Sequence, residues 1–194
     1  MAKKSTFGNM VLVLTLICLV SSAILGVVYG LTKGPIEAAE TAKINASIQE
    51  VVPAFDNQPS KEIFKVQLNG EDSITVYPAK KDGQIIAYAI QSKTTKGYSG
   101  LITLMVGVTA DGIIYNTAVV QHAETPGLGA RITDRPGFAD QFDKTNIAKS
   151  VYKVTKDGGQ IDAISASTIS SRAYCDAVNT AGKIFKKIKE NQEK

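Results

Sequence analysis

The sequence of 194 residues has no tryptophan, a single histidine and only two cysteines. Cys18 lies inside a long apolar run and Cys175 far downstream, so no disulfide joins them, and whatever folds after that run relies on its core alone. With His122 as the sole histidine and no cluster of cysteines around it, the usual ligand set of a zinc site is missing. Charge is scarce at the front of the chain, where no Asp, Glu, Lys or Arg occurs between Lys4 and Lys33. Of the formal net charge of +4, Lys3 and Lys4 hold +2 and residues 183–194 hold +3, leaving −1 on everything between. A nearly neutral body without a basic stripe argues against a nucleic-acid partner. The basic end reads as a solvated helix terminus that suits the helix dipole.

What the chain does contain begins with the uncharged run. Residues 10–31 read M-V-L-V-L-T-L-I-C-L-V-S-S-A-I-L-G-V-V-Y-G-L, and about 20 helical residues span the roughly 30 Å of a bilayer core. A single transmembrane helix follows, held in membrane lipid. Lys3 and Lys4 weakly favour residues 1–9 in the cytoplasm and the body outside. Cleavage as a signal peptide after Ser21-Ser22-Ala23 competes with this reading. The apolar run continues through Ile24, Leu25, Val27 and Val28, which favours an uncleaved anchor.

Residues 32–60 form the expected stalk helix and linker. Pro35 suits a first turn, Ile44, Ile48 and Val51 or Val52 share one face, and Pro53 stops the helix. Residues 61–188 form the expected outer domain. Short strands are predicted over 63–68 and 74–77, and a turn at Asp82-Gly83 precedes the strand I-I-A-Y-A-I-Q-S-K-T. Strand 101–109 pairs by pattern with 113–121 across Ala110-Asp111-Gly112. A short helix is expected over 138–142, and V-Y-K-V-T-K-D-G-G-Q-I-D reads as a strand entering a Gly-rich turn. The last helix starts near Ile169, with Tyr174, Ala177, Val178, Ala181, Ile184, Phe185 and Ile188 on its apolar stripe; residues 189–194 are a basic tail. The fold class expected is α+β, with a mainly antiparallel sheet and flanking helices.

Two stretches ask for more than structure. H-A-E-T-P-G-L-G-A-R, residues 122–131, follows a strand, and its glycines let the backbone approach a ligand; the alternative is an ordinary strand-to-loop corner. In D-A-I-S-A-S-T, residues 162–168, hydroxyls crowd a helix start whose free N–H groups suit an anion such as phosphate. Here Asp162 and Ser165 are candidate turn and cap residues, and simple capping by Ser165 or Ser167 is the alternative. His122 reads as an edge-strand residue before a possible proton donor. Tyr98 reads equally as a stacking ring or as filling, Cys175 as packing, and Arg131 as a partner of phosphate or of Asp134.

D-A-I-S-A-S-T is similar to the flavinylation signal of the FMN-binding domain family: Asp, two variable residues, Ser or Thr, Gly or a small residue, Ala, Thr. E-T-P-G-L-G and G-Y-S-G-L-I-T-L-M-V-G-V, residues 97–108, resemble two further blocks of that family in the same order, as do the N-terminal anchor and V-V-P-A-F. Within the family the chain most resembles the G subunits of Rnf-type electron-transport complexes. The C subunits of sodium-translocating NADH:quinone oxidoreductases share the plan. The resemblance implies FMN joined by a phosphodiester to Thr168, made from FAD by a separate flavin transferase after export. It implies Ser165, Ala166 and Ser167 as the recognition turn, and Glu124, Thr125, Gly127, Leu128 and Gly129 as the loop against the flavin. Ala166 and Ser167 depart from the commoner Gly and Ala. The function implied is electron transfer within an ion-translocating complex coupling ferredoxin and NAD, beside its other membrane subunits. The flavin domain would lie on the periplasmic side of the inner membrane, without a complete active site of its own. The quinone-reductase C subunit is the nearer alternative. A pilin-like structural protein is the distant one, although the early acidic residue usual in pilin helices is absent.

Overall fold

The computed structural model of the protein describes residues 6–68, 73–134 and 137–192. The chain divides into two compact units, Met1–Ala42 and Lys43–Lys194. Helix α1 (Phe7–Val51) supplies all the described structure of the first unit and the opening of the second. Its apolar window has a mean hydropathy of 2.8 and is not buried, as a membrane span would be. Pro35 lies inside this helix and not in a first turn. An interior proline lacks the N–H donor and crowds the carbonyl four residues back, so the helix is weakest at this turn.

The second unit is built on a five-stranded antiparallel meander in sequence order: β1 (Phe64–Gln67), β2 (Ser73–Lys81), β3 (Gln84–Gly97), β4 (Gly100–Thr109) and β5 (Ile114–Gln121). Strict alternation on β4 gives the sheet two buried faces. Ile102, Leu104, Val106 and Val108 join the larger core, which α2 (Thr168–Gln192) covers. Met105 points to the other side, where Ile48, Val51 and Val52 pack over Ala79, Ala87, Ala89 and Ala118. Small residues let the helix end lie close to the sheet: a Cβ on Gly107 would stand 1.6 Å from the Val51 carbonyl oxygen.

The register of α2 on the sheet is fixed by polar contacts as well as by its stripe. Ser92 Oγ donates to the Ala177 carbonyl (2.7 Å), and Thr94 Oγ1 donates to Asp176 Oδ2 (2.8 Å). All seven residues of the expected stripe are buried.

Three local expectations change. Strand β2 does not stop at Tyr77 but runs through Pro78 to Lys81, because β1 pairs only with Ser73–Val76 and leaves an edge that needs no proline donor. The segment around Tyr152 is not a strand. Asn179 of α2 takes its backbone, accepting from Tyr152 N–H (2.9 Å) and donating to Tyr152 O (2.8 Å), so only a Val154–Ile161 bridge forms. The short helix at 138–142 is a 3-10 turn, Ala139–Phe142.

Candidate functional site

The chain enters α2 through a tight turn. Ser167 N–H donates to Ile164 O (2.9 Å), with Ser165 and Ala166 at the tip. Ala166 has φ +62°, the left-handed conformation a type II turn needs at that position and a place where glycine is normally easier. Neither Asp162 nor Ser165 caps the helix: the Asp162 backbone is clamped by Gln141 (2.7 and 3.1 Å), and Ser165 is exposed. Ser171 does the fastening. Its hydroxyl accepts from Ile164 N–H (3.0 Å) and donates to Ser167 O (3.0 Å). Ser167 occupies the N-cap position, its carbonyl accepting the Ser171 N–H (3.0 Å). Its own Oγ is buried, in a residue 6 % exposed, and has no hydrogen-bond partner. A buried hydroxyl without a partner costs stability, so this atom would gain from an acceptor or donor on a ligand.

Glu124 draws three segments together. It follows β5, is 5 % exposed, and accepts the Ser99 N–H on Oε1 (3.0 Å) and the Ser170 hydroxyl on Oε2 (2.5 Å). The β3–β4 turn, the loop after β5 and the first turn of α2 therefore meet on one carboxylate. Gly129 is required here by space: a Cβ would stand 2.3 Å from Glu124 Oε2 and 2.7 Å from Ser170 Oγ. Gly127 is required by conformation, with φ +74°.

A cavity of about 480 Å³ opens between these segments. Glu124, Thr125, Leu128 and Gly129 line it from the loop, and Ala166, Ser167 and Thr168 line it from the helix start. Ser165 and Gly127 are not among its lining residues. Tyr98, Leu128 and Ile169 border it with apolar surface exposed by 72, 47 and 47 %. One side thus offers flat apolar surface, and the other offers hydroxyls and a positive helix end. Lys156 stands at that end, its Nζ donating to Thr168 Oγ1 at 3.3 Å. Sequence reasoning missed Lys156; the sign available was the K-D-G-G turn that carries it, with Gly158 at φ +75°.

Other candidates fall away from the cavity. His122 Nδ1 accepts the Glu124 N–H (3.1 Å) and shapes the loop. Arg131 pairs with Asp134 (3.2 Å). Cys175 is buried, and burial pushes its thiol up to about 12, so it is an unreactive packing residue. Among the described residues no group of three or more His, Cys, Asp or Glu is placed to hold a metal ion.

An α+β domain with a sheet-and-helix cleft, apolar on one side and anion-seating on the other, is a cofactor-binding module. The FMN-binding domain family matches residues 97–183. The G subunit of the ion-translocating oxidoreductase complex of Cereibacter sphaeroides is 34 % identical over 181 residues, covering 90 % of this chain and 82 % of that protein. The G subunit of the Na(+)-translocating ferredoxin:NAD(+) oxidoreductase complex of Acetobacterium woodii is 30 % identical over 91 % of this chain and 90 % of its own. In fold, the crystal structure of NqrC from Shewanella oneidensis matches with a TM-score of 0.50 at 22 % identity, over 61 % of this chain and 62 % of that one. The chain belongs to the family of FMN-binding G subunits of ion-translocating oxidoreductase complexes.

The residues present fit FMN. Ser167 Oγ is a buried polar atom awaiting a partner, and the cavity has the size of a small-molecule site.

Proposed function

We propose that this protein is the membrane-anchored electron-transfer subunit of an Rnf-type complex, carrying FMN joined through its phosphate to Thr168. The observation that carries the reading is the position of the Thr168 hydroxyl. It lines the cavity at the first residue of a 25-residue helix, between the unpartnered Ser167 Oγ and the ammonium of Lys156. FMN supplies the redox chemistry when bound. The chain's own residues hold it: the helix start and its hydroxyls take the phosphate, while Tyr98, Leu128 and Ile169 offer apolar surface to the ring. Glu124 keeps the loop shut against α2. The apolar part of α1 anchors the domain in the inner membrane, and Lys3 and Lys4 favour a periplasmic domain. Coupling of ferredoxin and NAD, partnership with the other complex subunits, and maturation by a flavin transferase belong to the same proposal, which the similarity to the G subunits supports.

The test uses the full chain exported in a host that carries a flavin transferase. Wild type should fluoresce under ultraviolet light on a denaturing gel, with the flavin phosphate mapping to the Thr168 peptide by mass. Thr168→Val should be dark. A fluorescent Thr168→Val band, or a dark wild-type band while the transferase modifies another acceptor, overturns the reading.

A further inference from the structure

Lys156 is assigned no role by the motifs or by the family match, yet three features deliver it to Thr168. It sits on the 3-10 turn Thr155–Asp157, whose next residue, Gly158, is left-handed. Gly159 is pressed so closely on the chain that a Cβ would stand 2.0 Å from the Lys153 carbonyl oxygen. Asp157 is gripped by Arg172 through two bonds, Nε to Oδ2 at 2.7 Å and Nη2 to Oδ1 at 2.6 Å. Thr168 and Arg172 are four residues apart and share a helix face. The consecutive pair Lys156 and Asp157 therefore meets them as a matched pair. Because Arg172 engages Asp157, the Lys156 ammonium is not neutralised by its neighbour. Independently, Ser167, whose buried Oγ has no hydrogen-bond partner, lines the cavity that Thr168 also lines, and Lys156 meets that cavity through its bond to Thr168.

We propose that Lys156 is the cation of an anion seat at the start of α2, with Asp157 and Arg172 as its positioning pair. This rests on the proposed attachment of FMN at Thr168. In that transfer the Thr168 Oγ1–phosphorus bond forms and the bond from the FMN phosphorus to the AMP oxygen of FAD breaks. AMP leaves, and the hydroxyl proton passes to a base of the transferase. Lys156 donates to Oγ1, stabilises the negative charge that grows there as the proton departs, and then faces the single charge of the phosphodiester.

Full-length protein in detergent is treated with purified transferase and saturating FAD. Lys156→Gln should incorporate flavin at Thr168 on the order of tenfold more slowly, less than a buried oxyanion donor commands because the pair is exposed. Lys156→Arg should recover most of the rate, and Asp157→Asn should fall between. A second measurement needs no flavin. Inorganic phosphate titrated into unmodified protein should shift the Ser167 and Thr168 amide resonances, and Lys156→Gln should weaken that shift severalfold. If Lys156→Gln matches wild type in both, the proposal is overturned while Thr168 attachment stands. If wild type takes up no flavin but the phosphate response depends on Lys156, the anion seat stands and the attachment reading falls.

Discussion

At the scale of single residues, the candidate site is shaped by where side chains are absent or nearly so. Gly129 gives up its Cβ for space and Gly127 for φ, while Ala166 keeps its Cβ at φ +62°. An L-residue held left-handed costs roughly 1–2 kcal/mol. Glycine there removes that strain but adds about 0.5–1 kcal/mol of unfolded-state entropy. Ala166→Gly should therefore leave stability unchanged or raise it by up to about 1.5 kcal/mol, where the same change inside a helix would lower it by about 1 kcal/mol. Urea unfolding of the two proteins side by side decides it; a clear loss would mean the turn is not strained at Ala166. The same residue explains why the resemblance favours glycine at this place. The departure bears on turn strain and leaves the Thr168 hydroxyl in the cavity.

At the scale of elements, regular patterns were legible and compensated irregularities were not. Alternation foretold β4 and β5 and their pairing, and the 3.6-residue stripe foretold α2, because both are set by which face meets the core. The hydroxyl-rich stretch and the E-T-P-G-L-G loop were legible as special, since their residue types serve no strand or helix. That Glu124 would bind Ser170, that Ser171 would fasten the turn, and that Lys156 would reach Thr168 were not. Each contact joins residues brought together only by the fold. The apparent strand at Tyr152 failed for a related reason: a side chain of α2, Asn179, took the hydrogen bonds a neighbouring strand would have made. The turn carrying Lys156 is itself held by the Asp157–Arg172 pair. The bond from Arg172 holds the Asp157 carboxyl below its ordinary value of 3.8. A carboxylate whose pKa is lowered by folding contributes its stabilisation above the unfolded value and loses it as the pH falls through the folded one. Acidification from pH 5 downward should thus leave the turn fastened at first and release it only below pH 3.8. The Thr168 amide resonance should report the step, and Asp157→Asn should lack it. Glu62 is lowered in the same way by Lys80, so the comparison with Asp157→Asn, and not acid unfolding as such, isolates the turn.

At the scale of the whole molecule, the second compact unit begins at Lys43, inside the segment 32–60 that reads in the sequence as stalk helix and linker. The reason lies on the face of the sheet opposite α2. Ile48, Val51 and Val52 are almost wholly buried there, covering the alanines of β2, β3 and β5. The helix end is also tied by hydrogen bonding, Asn116 Nδ2 donating to the Glu50 carbonyl (3.0 Å). Burying an aliphatic side chain contributes about 1.5–3 kcal/mol, so these three account for roughly 5–9 kcal/mol, an upper estimate. Domains as a whole are stable by only about 5–15 kcal/mol. A fragment of residues 43–194 should therefore unfold in one cooperative transition, whereas 61–194 should lose most of its stability and expose an apolar sheet face. Differential scanning calorimetry and light scattering on the two fragments measure this. An equally cooperative, monodisperse 61–194 would show that the end of α1 is a tether alone; failure of that fragment beside a stable 43–194 would make it the inner layer of the flavin domain's fold.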